Sequence, residues 1–203
     1  MNKIKSICVF CGSSPGSDRN FAYAARELGR LMAESNTALV YGGSSIGLMR
    51  AIADEVLKHK GKVTGVMPQS IIDLDVAYTE LNDFRVVDSM SRRKELMAEL
   101  ADAFIAMPGG IGTLDELFEI MSWNQLSIID KPLALLNTGG YYDYLVKFLE
   151  HSVEKHFVRY EHFQNLIVEE DPALLLQKIR EFVPLKPDSK WIDTLKTNTG
   201  RII

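Results

Sequence analysis

Short apolar runs that end at or near glycine or proline alternate in this chain with longer segments of helical period, and few folds are open to a chain built that way. The runs are Ser6 to Phe10, Thr37 to Tyr41, Lys62 to Met67, Phe84 to Asp88, Ala103 to Met107, Leu133 to Asn137 and Asn165 to Glu170. Several are apolar throughout, as strands of a parallel sheet must be when helices cover both faces. Between them, Phe21, Ala24, Ala25, Leu28, Leu31 and Met32 share one helical face, and Ile46, Met49, Ile52, Ala53, Val56 and Leu57 repeat the pattern. Residues 93–101, 113–126 and 141–157 supply three further helices, and Asp171 followed by Pro172 marks the cap and first turn of a last one running to about Phe182. The expectation is a single α/β domain over residues 1–182, a doubly wound, Rossmann-like parallel sheet. Such sheets hold ligands beyond the carboxyl ends of their strands, where the winding direction switches. Residues 183–203 contain two prolines and little period, and read as a tail that packs on the body or on a neighbouring subunit.

At 203 residues, 46% hydrophobic and 25% charged, the chain can build one substantial core. Its formal net charge of -4 gives no basic field, and Lys and Arg are scattered except at Ser91 to Lys94, so a nucleic-acid partner is not expected. The apolar stretch Ile7 to Phe10 is too short for a signal sequence. Nothing approaches the roughly 20 apolar residues that span a bilayer, so no membrane partner is expected and the default location is the cytoplasm. Cys8 and Cys11 are spaced C-x-x-C, but Cys8 lies inside the first strand whereas redox pairs of this spacing open a helix, and both are expected as buried thiols. His59, His151, His156 and His162 lack the spacing of a zinc site, and no metal is expected.

Three loops share one composition: CGSSPG after the first strand, GGSSIG after the second and PGGIGT after the fifth. Loops of Gly, Ser and Thr that open a helix present backbone N–H groups at its positive end, which suits a phosphate or carboxylate. One such loop needs no ligand to explain it; three on one sheet edge point to a polar anionic one. The stretch GGSSIGLM carries Leu48 and Met49 where a P-loop needs Lys and Ser or Thr, which excludes a Walker ATPase, and GGIGTLDE lacks the third glycine of a dinucleotide fingerprint. Thr113 and Glu116 have the T-x-x-E spacing of a capping box. That reading leaves Gly109, Gly110 and Gly112 unexplained, and a Glu116 turned toward a ligand stays open beside it. Asp115 and Glu119, four apart on the same helix, read as solvated or paired. In SMSRRKELM, Ser91 can cap a helix, while Arg92, Arg93 and Lys94 beside a helix start oppose its dipole and so look placed for an anion. Arginine is the better clamp, because its planar fork binds two oxygens.

SMSRRKELM followed by ADAFIAMPGGIGTLDELFE resembles the Lonely Guy family of cytokinin-activating enzymes and their bacterial relatives, through the paired signatures M-x-x-R-K and P-G-G-x-G-T-x-x-E in that order. The early CGSS, the loop YGGSSIGLM and the segment SWNQLSIIDKPLALLN extend the resemblance over most of the chain, up to Phe182. It implies hydrolysis of the N-glycosidic bond of a purine nucleoside 5′-monophosphate, either AMP or an N6-substituted relative, to free base and ribose 5-phosphate. It implies no cofactor and at least a homodimer, for which Phe118, Met121, Trp123 and Leu126 offer more apolar surface than one buried face needs. By the same resemblance Gly109, Gly110, Gly112 and Thr113 hold the phosphate and Arg93 and Glu116 are required for turnover. Lys94 and Met90 in the first signature, with Gly43 and Ser44 in the second glycine loop, join the candidate substrate contacts. Ser91 stands where many members have His, a departure expected to touch substrate detail, and Asp75 stands where relatives often show Glu. The chemistry fits the residues: cleaving a ribosyl–base bond passes through an oxocarbenium-like state that a carboxylate can stabilise while it activates water. The rival is a carrier of a nucleotide or a molybdenum-type cofactor on the same fold. Relatives have also carried the label lysine decarboxylase, but no lysine here stands in a recognisable pyridoxal-phosphate context.

Overall fold

In the computed structural model, which describes residues 4–73 and 76–186, each apolar run becomes one strand of a seven-stranded sheet. The strands are β1 (Ser6–Phe10), β2 (Ala38–Tyr41), β3 (Val63–Pro68), β4 (Asp83–Val87), β5 (Ala103–Ala106), β6 (Leu133–Leu136) and β7 (Leu166–Glu169). Every neighbouring pair is parallel, in the order β4-β3-β2-β1-β5-β6-β7. Alternate residues of the inner strands feed two separate cores. Ile7 and Val9 pack beneath helices α1 (Arg19–Glu34) and α2 (Gly47–Lys58), joined there by Leu175, Leu176 and Ile179 near the C-terminal end. Cys8 and Phe10 face the opposite layer. This two-sided burial is why the inner strands are apolar without alternation, while the edge strands β4 and β7 are only partly covered.

A short helix α3 (Gln69–Ile72) follows β3. The second layer is built from α4 (Met90–Leu100), α5 (Ile111–Gln125) and α6 (Asp143–Glu154). A five-residue α7 (Tyr160–Gln164) precedes β7, and α8 (Pro172–Glu181) completes the first layer. Asp171 caps α8 by accepting from the Leu174 N–H, with Pro172 in the first turn, as its sequence suggests. The cap of α4 is Ser89, whose hydroxyl accepts from the Arg92 N–H, and not Ser91, so the helix starts earlier than its apolar period alone implies. By contrast α6 starts later than Tyr141, at Asp143, because Gly139 and Gly140 take left-handed conformations before it.

The chain winds outward from β1 to β4, then returns to lay β5 against the other side of β1, so the switch point falls between β1 and β5. The glycine loops after β2, β1 and β5 are therefore neighbours, and backbone hydrogen bonds tie them together. The Gly12 N–H donates to the Pro108 carbonyl at 3.0 Å and the Leu48 N–H donates to the Gly12 carbonyl at 3.0 Å. Gly47, with φ of 62°, lies so close to the Ser13 backbone that any side chain there would collide. Beyond α8 the Leu185 backbone makes two hydrogen bonds with the Asn165 side chain, which holds the start of the expected tail on the body. Residues 187–203 and Asp75 lie outside the described residues. No helix among the described residues is long and apolar enough to cross a membrane. Of the four apolar residues noted on α5 and its end, Met121 and Trp123 pack against the second core, while Phe118 and Leu126 are exposed.

Candidate active site

Helix α5 opens without a capping side chain: its N-cap is Gly110, and the first amide to find a helical acceptor is that of Leu114, on the Gly110 carbonyl. The N–H groups of Ile111, Gly112 and Thr113 thus lie in the unsatisfied first turn, at the positive end of a 15-residue helix. A Cβ on Gly110 or Gly112 would meet nothing within 4 Å, so neither glycine is required by packing inside the chain. Gly109 differs, because a side chain there would strike Thr113 and the Gly12 amide. Since Thr113 is the third helical residue and not the cap, the capping-box reading of Thr113 and Glu116 fails. Glu116 lies in the second turn, and its carboxylate goes elsewhere.

It goes to Arg93. The Arg93 Nη1 donates to Glu116 Oε1 at 2.8 Å, with side-chain exposures of only 12% and 9%. The Arg93 Nε donates to the Val66 carbonyl at 3.0 Å, which anchors the guanidinium to the end of β3. Its Nη2 lies over Gly42, where a Cβ would run into the guanidinium and the Met49 sulfur. Arg93 is thus held on three sides by β3, α5 and the end of β2. Burial pushes the Glu116 carboxyl above its usual 4.5, with the Arg93 charge and hydrogen bond pulling the other way.

The cations beside Arg93 are otherwise engaged. Arg92 pairs on the surface with Glu95 and Glu99, and Lys94 reaches across to Asp115 at 3.0 Å and Glu119 at 3.1 Å. Lys94 therefore bridges α4 to α5 and does not line the cleft, and Asp115 and Glu119 are paired as expected. The cleft itself holds about 280 Å³ and is lined by the candidate contacts Arg93, Glu116, Thr113, Gly110, Gly112 and Met90, with Asp115 at its edge also among the lining residues. Gly109, also a candidate phosphate contact, does not line the cleft. Gly43 and Ser44 lie off the lining: Gly43, at φ of 77°, packs against Phe84 and Gly65, and Ser44 is buried opposite Ala77.

Cys11, Gly12, Ser13, Gly42, Met49 and Ile111 also line the cleft; the sequence places them in the three glycine loops without marking any of them as a substrate contact. They carry no chemical signature of their own; only the order β2-β1-β5 brings them to the cleft. Cys8 and Cys11 are buried free thiols in the two different cores, and burial pushes both well up from the ordinary thiol value, with the Glu116 charge adding to it. They do not form the paired thiolates of a redox site.

Residues 49–179 match the family model described as possible lysine decarboxylase. A probable cytokinin riboside 5′-monophosphate phosphoribohydrolase of Oryza sativa subsp. japonica is 41% identical over 184 residues, covering 91% of this chain and 81% of that protein. A cytokinin riboside 5′-monophosphate phosphoribohydrolase of Arabidopsis thaliana is 41% identical over 183 residues, covering 90% of this chain and 86% of its own length. Among solved structures, the molybdenum cofactor binding protein from Rippkaea orientalis superposes with a TM-score of 0.66 at 20% identity, over 89% of this chain and 98% of that one, a likeness of fold. With the family model matched over most of its length and relatives this similar along nearly all of it, the chain belongs to the Lonely Guy family.

Proposed function

We propose that this chain hydrolyses the N-glycosidic bond of an adenine-type nucleoside 5′-monophosphate, with cytokinin riboside 5′-monophosphates as its substrates and AMP within its range, to free base and ribose 5-phosphate. The observation that carries the reading is the buried Arg93–Glu116 pair one turn beyond an uncapped, glycine-lined helix N-terminus. The 5′-phosphate binds at the amides of Gly110, Ile111, Gly112 and Thr113, where backbone donors and the helix dipole favour an anion. That anchor fixes the ribose relative to Glu116, so phosphate affinity becomes orientation at C1′. As the C1′–N9 bond breaks, its electron pair leaves with the base, and the Glu116 carboxylate faces the developing oxocarbenium ion and orients the water that attacks C1′. Oxygen from water ends on C1′, and its two protons end on the new ribose hydroxyl and the base nitrogen. Met49, Met90 and Ile111 give the cleft an apolar wall suited to adenine and an N6-isoprenoid group.

Two other readings have less support. A lysine decarboxylase needs a lysine to hold pyridoxal phosphate, and among the described residues no lysine lines the cleft. A carrier of a nucleotide or molybdenum-type cofactor has no use for a buried ion pair, whose desolvation is costly. The functional domain is assigned to residues 1–182 with 183–203 as an appendage, and the setting to the cytoplasm, in keeping with two free cysteines. The chain acts as a homodimer through the outer side of α5, where Phe118 and Leu126 are 41% and 64% exposed.

Three measurements test this reading. Incubated with isopentenyl-AMP, AMP and UMP, the protein is expected to release base from both purine nucleotides, with kcat/KM for isopentenyl-AMP ahead by about tenfold or more, given roughly 1–3 kcal/mol per apolar methylene. Comparable turnover of UMP contradicts the purine assignment. An isotope-edited titration of the Glu116 carboxyl should give a midpoint above 4.5, and a higher one in Arg93→Ala, since burial raises it and the guanidinium opposes that rise; a wild-type midpoint below 4.5 contradicts the electrostatics described here. Sedimentation should find a dimer, and a fully active monomer at assay concentration would overturn the α5 interface.

A further inference from the structure

The turn after β6 delivers two adjacent tyrosines to the back of the glycine loop. The Asn137 Oδ1 accepts from the Tyr142 N–H at 2.6 Å, and Gly139 and Gly140, both at positive φ, bend the chain so that the tyrosines follow at once. The Tyr142 hydroxyl, deeply buried, donates to the Met107 carbonyl at 2.6 Å. The Tyr141 hydroxyl donates to the Gly109 carbonyl. Its ring is fixed edge-on against Phe21 at 5.7 Å and Tyr142 at 5.0 Å, so that hydroxyl has little freedom to leave.

The two acceptors are not equivalent. The peptide that follows Met107 leads into Pro108 and carries no N–H, so Tyr142 only fixes where the segment sits. The peptide that follows Gly109 carries the N–H of Gly110. In a planar trans peptide the C=O and N–H point in opposite directions, so a carbonyl held toward Tyr141 turns the Gly110 N–H the other way. That way lies the cleft, which Gly110 lines and Tyr141 does not. Among the described residues the Gly110 N–H has no acceptor, and the space beside its Cα is open. A peptide between two glycines has few steric barriers to flipping, and a flip would present the carbonyl oxygen to an incoming anion instead of the donor.

We propose that Tyr141 is a positioning residue, which sets the polarity of the Gly109–Gly110 peptide so that its N–H faces the 5′-phosphate of the substrate. The hydrogen bond also polarises that amide and strengthens the donor. The inference rests on the phosphate-binding reading of the glycine loop given above, and it adds to the site a side chain that does not line the cleft.

Tyr141→Phe keeps both ring contacts and removes only the hydroxyl. Calorimetry with ribose 5-phosphate should show its Kd raised about three- to tenfold, the scale of one hydrogen bond, with adenine affinity and melting temperature nearly unchanged. In turnover, KM for the nucleotide should rise by the same factor while kcat stays close to wild type. Tyr142→Phe, acting on a peptide with no N–H, should weaken ribose 5-phosphate less. Wild-type affinity in Tyr141→Phe overturns the assignment, as does equal weakening in both variants or a parallel loss of adenine binding, which would mark general loosening of the loop. A wild-type protein that does not bind ribose 5-phosphate overturns the functional reading itself, and this inference with it.

Discussion

Burying Arg93 and Glu116 together is the constraint around which the carboxyl edge of the sheet is organised. Two opposite charges taken out of water cost several kcal/mol each before their attraction is counted, and they persist only where geometry and further hydrogen bonds compensate. The chain meets that condition from three directions: the Val66 carbonyl takes the Arg93 Nε, Gly42 leaves room for its Nη2, and Glu116 accepts from Nη1. Lys94, one residue on, clamps α4 to α5 through Asp115 and Glu119 and so holds the two helices that carry the pair at a set distance. Leu117 and Ile120, on the buried side of α5, tie the same helix to the sheet. An arrangement this confined holds the Glu116 carboxyl out of water against Arg93, the setting that the proposed role toward a developing cation calls for.

The glycines divide into two groups once the loops are seen together. Gly42, Gly47 and Gly109 have no room for a side chain, because neighbouring backbone or the arginine fills it. They let three strand ends approach one another. Gly110 and Gly112 have room and do not use it. Their bareness exposes backbone donors at the mouth of α5, and the two groups act in series, the first bringing the loops into contact and the second leaving donors facing the space between them.

Much of the architecture was legible because its signals are local. All seven strands follow from short runs rich in apolar residues, α1 and α2 from their period and α8 from its cap. The short helices α3 and α7 are too brief to show a period, and positive-φ positions such as Gly139 and His156 trim α6 at both ends. The start of α5 was misjudged because Gly110 offers no capping side chain, which let Thr113 pose as one. Within the site, the nearness of Arg93 to Glu116 was suggested by the paired signatures, but the direction in which Lys94 points depends on Asp115 and Glu119 across a helix interface. Gly42, Met49 and Ile111 lie in the glycine-loop motifs without being marked as contacts and yet line the cleft, whereas Gly43 and Ser44 are marked and lie off it; strand order decides both outcomes.

The central claim is that Glu116 acts on the reacting sugar while the glycine loop independently holds the phosphate. Glu116→Gln separates these most directly, because the amide keeps the shape and can still accept from Arg93 but has no charge. Single-turnover kinetics on isopentenyl-AMP, run beside calorimetry with ribose 5-phosphate, should give a kcat lowered by about 100-fold or more with phosphate affinity within a few-fold of wild type. A variant that keeps more than about a tenth of wild-type kcat, or one that loses ribose 5-phosphate binding as steeply as it loses turnover, would contradict the account.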